Sequence, residues 1–135
     1  MTPFILDTSA LLAYLRKEPG EARVAQLLAS ERCLLGATNL AELVSKVVER
    51  GFPLGEIPKL VNSFNVDIVP LTQEQAVLSG LLRQTTRRLG LSLGDRTCLA
   101  LTKTRGGLPL PLIDPGRRSI SESPSSASAR TRTKQ

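Results

Sequence analysis

A short apolar run that ends abruptly in an acid constrains this chain more than any other stretch: Phe4-Ile5-Leu6-Asp7-Thr8-Ser9-Ala10-Leu11-Leu12. Three apolar residues without polar alternation predict a short strand buried on both faces. Asp7 then stands at the carboxyl end of that strand. Thr8 and Ser9 are suited to cap the helix that Leu11, Leu12 and Leu15 mark by their spacing. In open α/β sheets this rim is where ligands and catalytic groups gather. Read alone, Asp7 is as well explained by helix capping as by chemistry. Acids at matching places further along shift the balance.

The same alternation continues. Glu18-Pro19-Gly20 breaks the first helix, and a second runs from about Glu21 to Ser30. Arg32 to Gly36 reads as a second strand, followed by a helix capped by Thr38 or Asn39 and ending at Gly51. Pro53 to Asn65 predicts another helix, and Val66 to Leu71 a third strand. Thr72 and Gln75 have the spacing of a capping box that opens a helix to about Leu89. Ser92 to Arg105 predicts a further helix. Leu108 to Ile113 fits a fourth strand only at a sheet edge, because Pro109 and Pro111 weigh against an inner one. Strands alternating with helices imply a largely parallel sheet covered on both faces, an α/β fold.

At 135 residues the chain has the size of one domain with a real core. Its net charge of +6 is unevenly spread. Up to Asp114 there are 13 Lys/Arg against 11 Asp/Glu, and from Pro115 onward 5 against 1. A mildly basic body permits a nucleic-acid partner without requiring one. Cys33 and Cys98 stand in apolar contexts and read as small buried hydrophobes in a reducing compartment, not as a disulfide. Asp7 interrupts the apolar N-terminal run far short of a signal peptide or a membrane span, so a soluble, cytoplasmic protein is expected.

Two more acids lie in otherwise apolar segments near helix starts: Glu42 in Thr38-Asn39-Leu40-Ala41-Glu42-Leu43, and Asp95 in Leu91-Ser92-Leu93-Gly94-Asp95-Arg96-Thr97-Cys98. The helix macrodipole alone favours acids in first turns, by roughly 0.3–1 kcal/mol each. Acids flanked by Leu and Ala must nevertheless lie near the core edge, where desolvation is costly without a cation. Three carboxylates converging at one rim repel one another unless neutralised. A divalent ion with hard oxygen ligands, Mg²⁺ or Mn²⁺, resolves that. Zinc is disfavoured, because the chain has no histidine and its cysteines lack ligand spacing. No Gly-rich phosphate loop is present. Metal-assisted hydrolysis remains, with phosphodiesters as the natural substrate class.

Together FILDTSALLAYL, TNLAEL and LSLGDRTCLAL resemble a PIN domain, specifically a VapC-type toxin of bacterial toxin–antitoxin pairs. The likeness spans about Met1 to Gly107. It rests on three motifs in this order, since D-T-S alone is weak. It implies an RNase-H-like α/β/α sandwich with a mostly parallel four- to five-stranded sheet. It also implies a Mg²⁺- or Mn²⁺-dependent endoribonuclease, a cognate antitoxin, an RNA substrate and a homodimer. Carried over residue by residue, Asp7 and Asp95 are the principal metal ligands and Glu42 a third acid. Ser9 is either a water-positioning partner or, preferred, a helix cap. Arg96 either meets RNA phosphate or pairs with a neighbour.

The end of the chain departs from that pattern. The family usually carries a fourth acid after the last strand, then a helix and a short final strand. Here Leu110-Pro111-Leu112-Ile113-Asp114-Pro115 places Asp114 at about the right position, a fourth candidate metal ligand with foreign flanks. Codons for Leu112 to Ser126 can be chosen so that the neighbouring frame reads A-D-R-S-W-A-A-V-D-L-G-V-A-V-E, which resembles the missing piece. A frameshift near Gly107 to Pro111 is the corresponding hypothesis, and sequencing the gene tests it. A nuclease domain is thus expected at 1–114 and a disordered basic Ser/Arg-rich tail at 115–135, with the domain destabilised by the loss. Two further readings stand beside the ribonuclease: a catalytically impaired protein that keeps only antitoxin or RNA binding, and a structure-selective DNA nuclease, against which the short, insertion-free chain argues.

Overall fold

The computed structural model describes residues 2–110; the expected tail, Asp114 and most of the stretch to which the frameshift hypothesis applies lie outside them. Four strands, β1 (Phe4–Leu6), β2 (Cys33–Gly36), β3 (Val66–Val69) and β4 (Leu108–Leu110), form one sheet in the order β3-β2-β1-β4. Every pairing is parallel, with Phe4 opposite Cys33 and Leu108, and Cys33 opposite Val66. The carboxyl ends of β1 and β2, the two central strands, therefore share one rim. Both read as uninterrupted apolar runs because both faces are covered. Ile5, Leu6, Leu34 and Leu35 are fully buried. β3 is an edge strand, with Asp67 and Ile68 exposed and Asp67 paired to Arg32 at 3.3 Å. β4 forms the other edge, where a strand containing Pro109 loses no ladder bond that the fold needs.

Six helices cover the sheet: α1 (Thr8–Arg16), α2 (Glu21–Ser30), α3 (Ala37–Glu49), α4 (Ile57–Ser63), α5 (Gln73–Thr86) and α6 (Leu93–Arg105). Strand alternation sorts the core into two parts. Leu6, Cys33 and Leu35 pack with Leu11, Val24, Leu28, Leu43 and Val47 on one side. Ile5, Leu34 and Val69 meet Cys98 and Leu101 of α6 on the other. Each fully buried Leu or Ile contributes about 1.5–3 kcal/mol. β4 approaches β1 closely because residue 107 has no side chain. A Cβ there would stand 2.7 Å from the Ile5 Cδ1, and its φ of 143° is open to glycine.

Local endings differ from expectation in three places. Thr38 and Asn39 lie inside α3, which begins at Ala37 behind Gly36 with no side-chain cap. The helix expected over Pro53 to Asn65 is a 3-10 turn, Leu54–Glu56, followed by the shorter α4. Before Gly90, α5 gives way to a 3-10 turn at Arg87–Leu89. The capping box of Thr72 and Gln75 is present as expected. Both cysteines are free and buried. Among the described residues no helix is long and apolar enough to cross a membrane.

Candidate active site

The rim is assembled from three helix starts. α1 and α3 leave directly from the ends of β1 and β2, and α6 packs across the sheet so that its first turn comes to the same end. A bond from the Cys98 Sγ to the Leu6 carbonyl, 3.9 Å, ties α6 to the last residue of β1. The positive ends of three helix dipoles thus face one region, which favours ionised carboxylates and anionic ligands there.

Asp7 is 3% exposed and is itself the N-cap of α1. Its Oδ1 accepts from the Ala10 N–H at 2.9 Å and from the Ser9 hydroxyl at 2.9 Å. The cap is therefore Asp7, one of the two readings its position allows, and not Thr8 or Ser9. Ser9 instead donates to the acid it was expected to accompany, and the Thr8 hydroxyl donates to the Asn39 carbonyl at 3.1 Å. The two donors hold the Asp7 carboxylate at the mouth of the sheet.

Asp95 occupies the third position of α6 in a closed capping box. Its Oδ2 accepts from the Ser92 N–H at 2.9 Å, and the Ser92 hydroxyl accepts from the Asp95 N–H at 3.1 Å. The Ser92-to-Asp95 spacing is the same signal that Thr72 and Gln75 carry. Asp7 and Asp95, from opposite ends of the sequence, act on one group. Burial pushes the Cys98 thiol far up from its ordinary pKa, and the Asp7 and Asp95 carboxylates push it further. Glu42 lies in the second turn of α3, one turn later than a first-turn acid, and is half-buried. Its carboxylate occupies the space where a side chain at residue 94 would stand, so only glycine beside Asp95 admits it. The structure thus brings Glu42 against the turn that carries Asp95, and Asp95 towards Asp7. Asp114 lies outside the described residues.

Asn39 is the residue at the centre that sequence reading takes only for a cap. It is 1% exposed. Its Nδ2 donates to the Thr8 Oγ1 and to the Gly94 carbonyl, each at 3.2 Å. One amide therefore joins the residue after Asp7 to the residue before Asp95. The signal was a carboxamide three positions before Glu42 in an otherwise apolar turn. Arg96 turns away from any ligand role for one of its nitrogens: an Nη donates to the Ser79 carbonyl at 3.1 Å and ties α6 to α5.

The donor set is all carboxylate oxygen, which suits a hard divalent cation. With no histidine in the chain and Cys98 buried in the core cluster of Ile5, Leu34 and Leu101, this rim offers carboxylate oxygens and not the nitrogen and sulfur set that zinc sites favour. Among the described residues no group of three or more His, Cys, Asp or Glu is placed to hold a metal ion. The acids share a rim without forming a closed cage. Mg²⁺ does not need one, since it binds through one or two carboxylates and keeps several waters.

Solved structures share this fold. VapC20 of Mycobacterium tuberculosis, a Sarcin-Ricin loop cleaving toxin, superposes with a TM-score of 0.64 at 15% identity, covering 95% of this chain and 96% of that one. A toxin–antitoxin complex from Klebsiella pneumoniae gives 0.61 at 19% identity over 89% and 92%. A DNA-bound VapBC complex from Salmonella typhimurium gives 0.57 at 20% identity over 78% and 83%. None of the curated proteins matches in sequence. The family model of the PIN domain matches residues 4–108, from the first residue of β1 to the first of β4. A parallel sheet with acids at the mouth of β1 and in the opening turn of α6, covered end to end by that match, makes this chain a member of the PIN domain family.

Proposed function

We propose that this protein is a metal-dependent endoribonuclease, the toxin of a bacterial toxin–antitoxin pair. The observation that carries the reading is the Asn39 amide, which bonds both the Thr8 Oγ1 and the Gly94 carbonyl and so brings the turns of Asp7 and Asp95 to one rim, with Glu42 seated against Gly94. Nucleases of this family generally use divalent metal ions. Asp7 and Asp95 would be the principal ligands of Mg²⁺ or Mn²⁺, with Glu42 and Asp114 further candidates. The ion, when bound, makes water a better nucleophile and offsets charge building on the phosphate. The chain's own residues do the rest. The Ser9 hydroxyl and the Ala10 N–H orient Asp7, the Ser92 N–H orients Asp95, and Asn39 holds the two segments together. Without histidine, the proton of the attacking water passes to a carboxylate of this rim or to solvent.

Two surfaces support the partners. A cleft of about 300 Å³ is lined by Leu12, Leu15, Val47, Phe52 and Leu60 together with Arg16 and Arg50. A mostly apolar lining that includes two arginines suits an amphipathic helix with acidic residues, as an antitoxin would supply. On α5, Val77 and Leu81 are 55% and 67% exposed on one face, four residues apart, which fits a homodimer contact. A cytoplasmic location goes with this role.

The test is cleavage of RNA and, in parallel, DNA by the purified full chain with Mg²⁺ or Mn²⁺. Cleavage of RNA alone, lost in Asp7→Asn and in Asp95→Asn, supports the reading. Asn still accepts a bond from the Ala10 N–H, so the first variant keeps its cap. Cleavage that survives both changes dismisses the metal site. No cleavage with retained RNA or antitoxin binding leaves the impaired member of the family.

A further inference from the structure

Charge is not spread evenly over the layers of the fold. From Thr2 to Glu74 the sequence holds seven Lys/Arg and nine Asp/Glu. From Gln75 to Leu110 it holds six Lys/Arg, and Asp95 is the one acid. The second stretch is the α5–α6 pair and its strand, so one side of the domain is cationic and the other is not.

Within that pair the cations are placed. α5 and α6 run antiparallel, because the Gln75 Nε2 donates to the Thr104 Oγ1 at 3.0 Å and an Arg96 Nη donates to the Ser79 carbonyl at 3.1 Å. The end of α5 and the start of α6 therefore lie at one end of the hairpin. That end carries Asp95. Arg83, Arg87 and Arg88 sit there, in the last turn of α5 and the 3-10 turn that follows, and all three are exposed. Among the described residues none of them is in an ion pair. Arginines at a helix end also interact favourably with the dipole, yet one residue would serve that purpose, and three lie within six positions.

We infer that the hairpin tip formed by Arg83, Arg87 and Arg88 grips the phosphate backbone of single-stranded RNA and feeds it to the rim at Asp95. The inference rests on the ribonuclease reading and names residues that hold its substrate. No Phe, Tyr or Trp occurs from Val66 to Leu110, so this hairpin offers no stacking platform for bases. Its contacts are with phosphates and tolerate any sequence. Base preference must come from elsewhere on the chain.

Counterion release supplies the measurement. For single strands, log K falls with log[salt] by about 0.7 per phosphate neutralised. Fluorescence anisotropy of a short labelled single-stranded RNA in EDTA, titrated with full-length protein at several salt concentrations, reads that slope without cleavage. Replacing the three arginines by Gln is expected to weaken binding at least tenfold at low salt and to flatten the slope by about 2. Replacing them by Lys is expected to restore most of both. An equal change of net charge on the other layer, Arg23→Gln, Lys46→Gln and Lys59→Gln, is expected to leave the slope within about 0.5 of the parent. Melting curves show that each variant is folded. Equal loss from both triple variants, or none from the hairpin variant while the parent binds, overturns the assignment of these arginines and leaves the ribonuclease reading intact. A parent chain with no salt-dependent RNA binding removes both.

Discussion

Cutting Asn39 back to Ala tests whether one carboxamide holds the rim together. The side chain is almost wholly buried and makes two donor bonds, to the Thr8 Oγ1 and the Gly94 carbonyl. Each such bond contributes about 1 kcal/mol net, and orphaned buried acceptors add to the loss. Neither acceptor is left bare, however. The Gly94 carbonyl still accepts from the Thr97 hydroxyl at 3.0 Å, and the Thr8 hydroxyl still donates to the Asn39 backbone at 3.1 Å. The Asn39 Oδ1 is buried without a hydrogen-bond partner among the described residues, and its removal returns part of the loss. The net destabilisation is therefore expected at about 1–2 kcal/mol, near the middle of the range for single substitutions. Asn39→Asp is nearly the same shape but sets carboxylate oxygens against two acceptors beside Glu42. It is expected to cost at least about 3 kcal/mol, in the range for an uncompensated buried charge. Urea denaturation of both variants measures these values. The Ala variant is also expected to bind Mn²⁺ at least tenfold more weakly by electron paramagnetic resonance, because Asp7 and Asp95 lose their shared brace. An Ala variant with parental stability and parental Mn²⁺ affinity would refute the idea that this amide positions the acids.

Two other substitutions separate stability from chemistry. Gly94→Ala places a methyl where the Glu42 carboxylate lies. That carboxylate is the far end of a flexible side chain and can swing out, while Ala improves helix propensity by about 1 kcal/mol. The melting temperature is expected to stay level or rise as nuclease activity falls to the level of Glu42→Gln; retained activity would show that Glu42 does not act at this rim. The Cys98 thiol is held neutral by burial first and by the Asp7 and Asp95 carboxylates second. A pKa raised in the fold leaves stability intact below the ordinary thiol value of about 8.5 and erodes it above, by up to about 1.4 kcal/mol per pH unit. Unfolding by urea at pH 8, 9 and 10 is expected to show that decline, reduced in Cys98→Val; an identical decline in the variant would place its origin elsewhere. The Cys33 thiol is raised in the same direction, by burial and then by Glu31, so the variant lessens the decline without abolishing it.

What could be read from the sequence was whatever depends on neighbours along the chain. Phe4 to Leu6 is a buried strand because it has no polar alternation, and Thr72 and Gln75 close a capping box because both partners lie within one turn. The parallel sheet followed from strands spaced by helices, and Pro109 lies on an edge strand for want of an N–H. What could not be read depends on partners far away. Nothing local says that the Ser9 hydroxyl turns back to Asp7, or that Thr38 and Asn39 lie inside α3 and not before it. The role of Asn39 appears only when α6 arrives to supply the Gly94 carbonyl as its second acceptor.

That distinction bears on how the rim works. Asp7 and Asp95 each accept a bond within their own turn, which ties each carboxylate to its helix start. Their separation is set by the packing of α6 on β1 through Cys98 and Leu101, and by one amide spanning Thr8 and Gly94. A substitution within either turn should tilt one acid and leave the other in place. A substitution at Asn39 or under α6 should change the distance between two acids that remain correctly oriented. Metal affinity depends on that distance, whereas helix stability depends on the caps. The two kinds of variant should therefore separate in a plot of Mn²⁺ affinity against unfolding free energy, with Asn39→Ala losing far more affinity than its stability loss predicts.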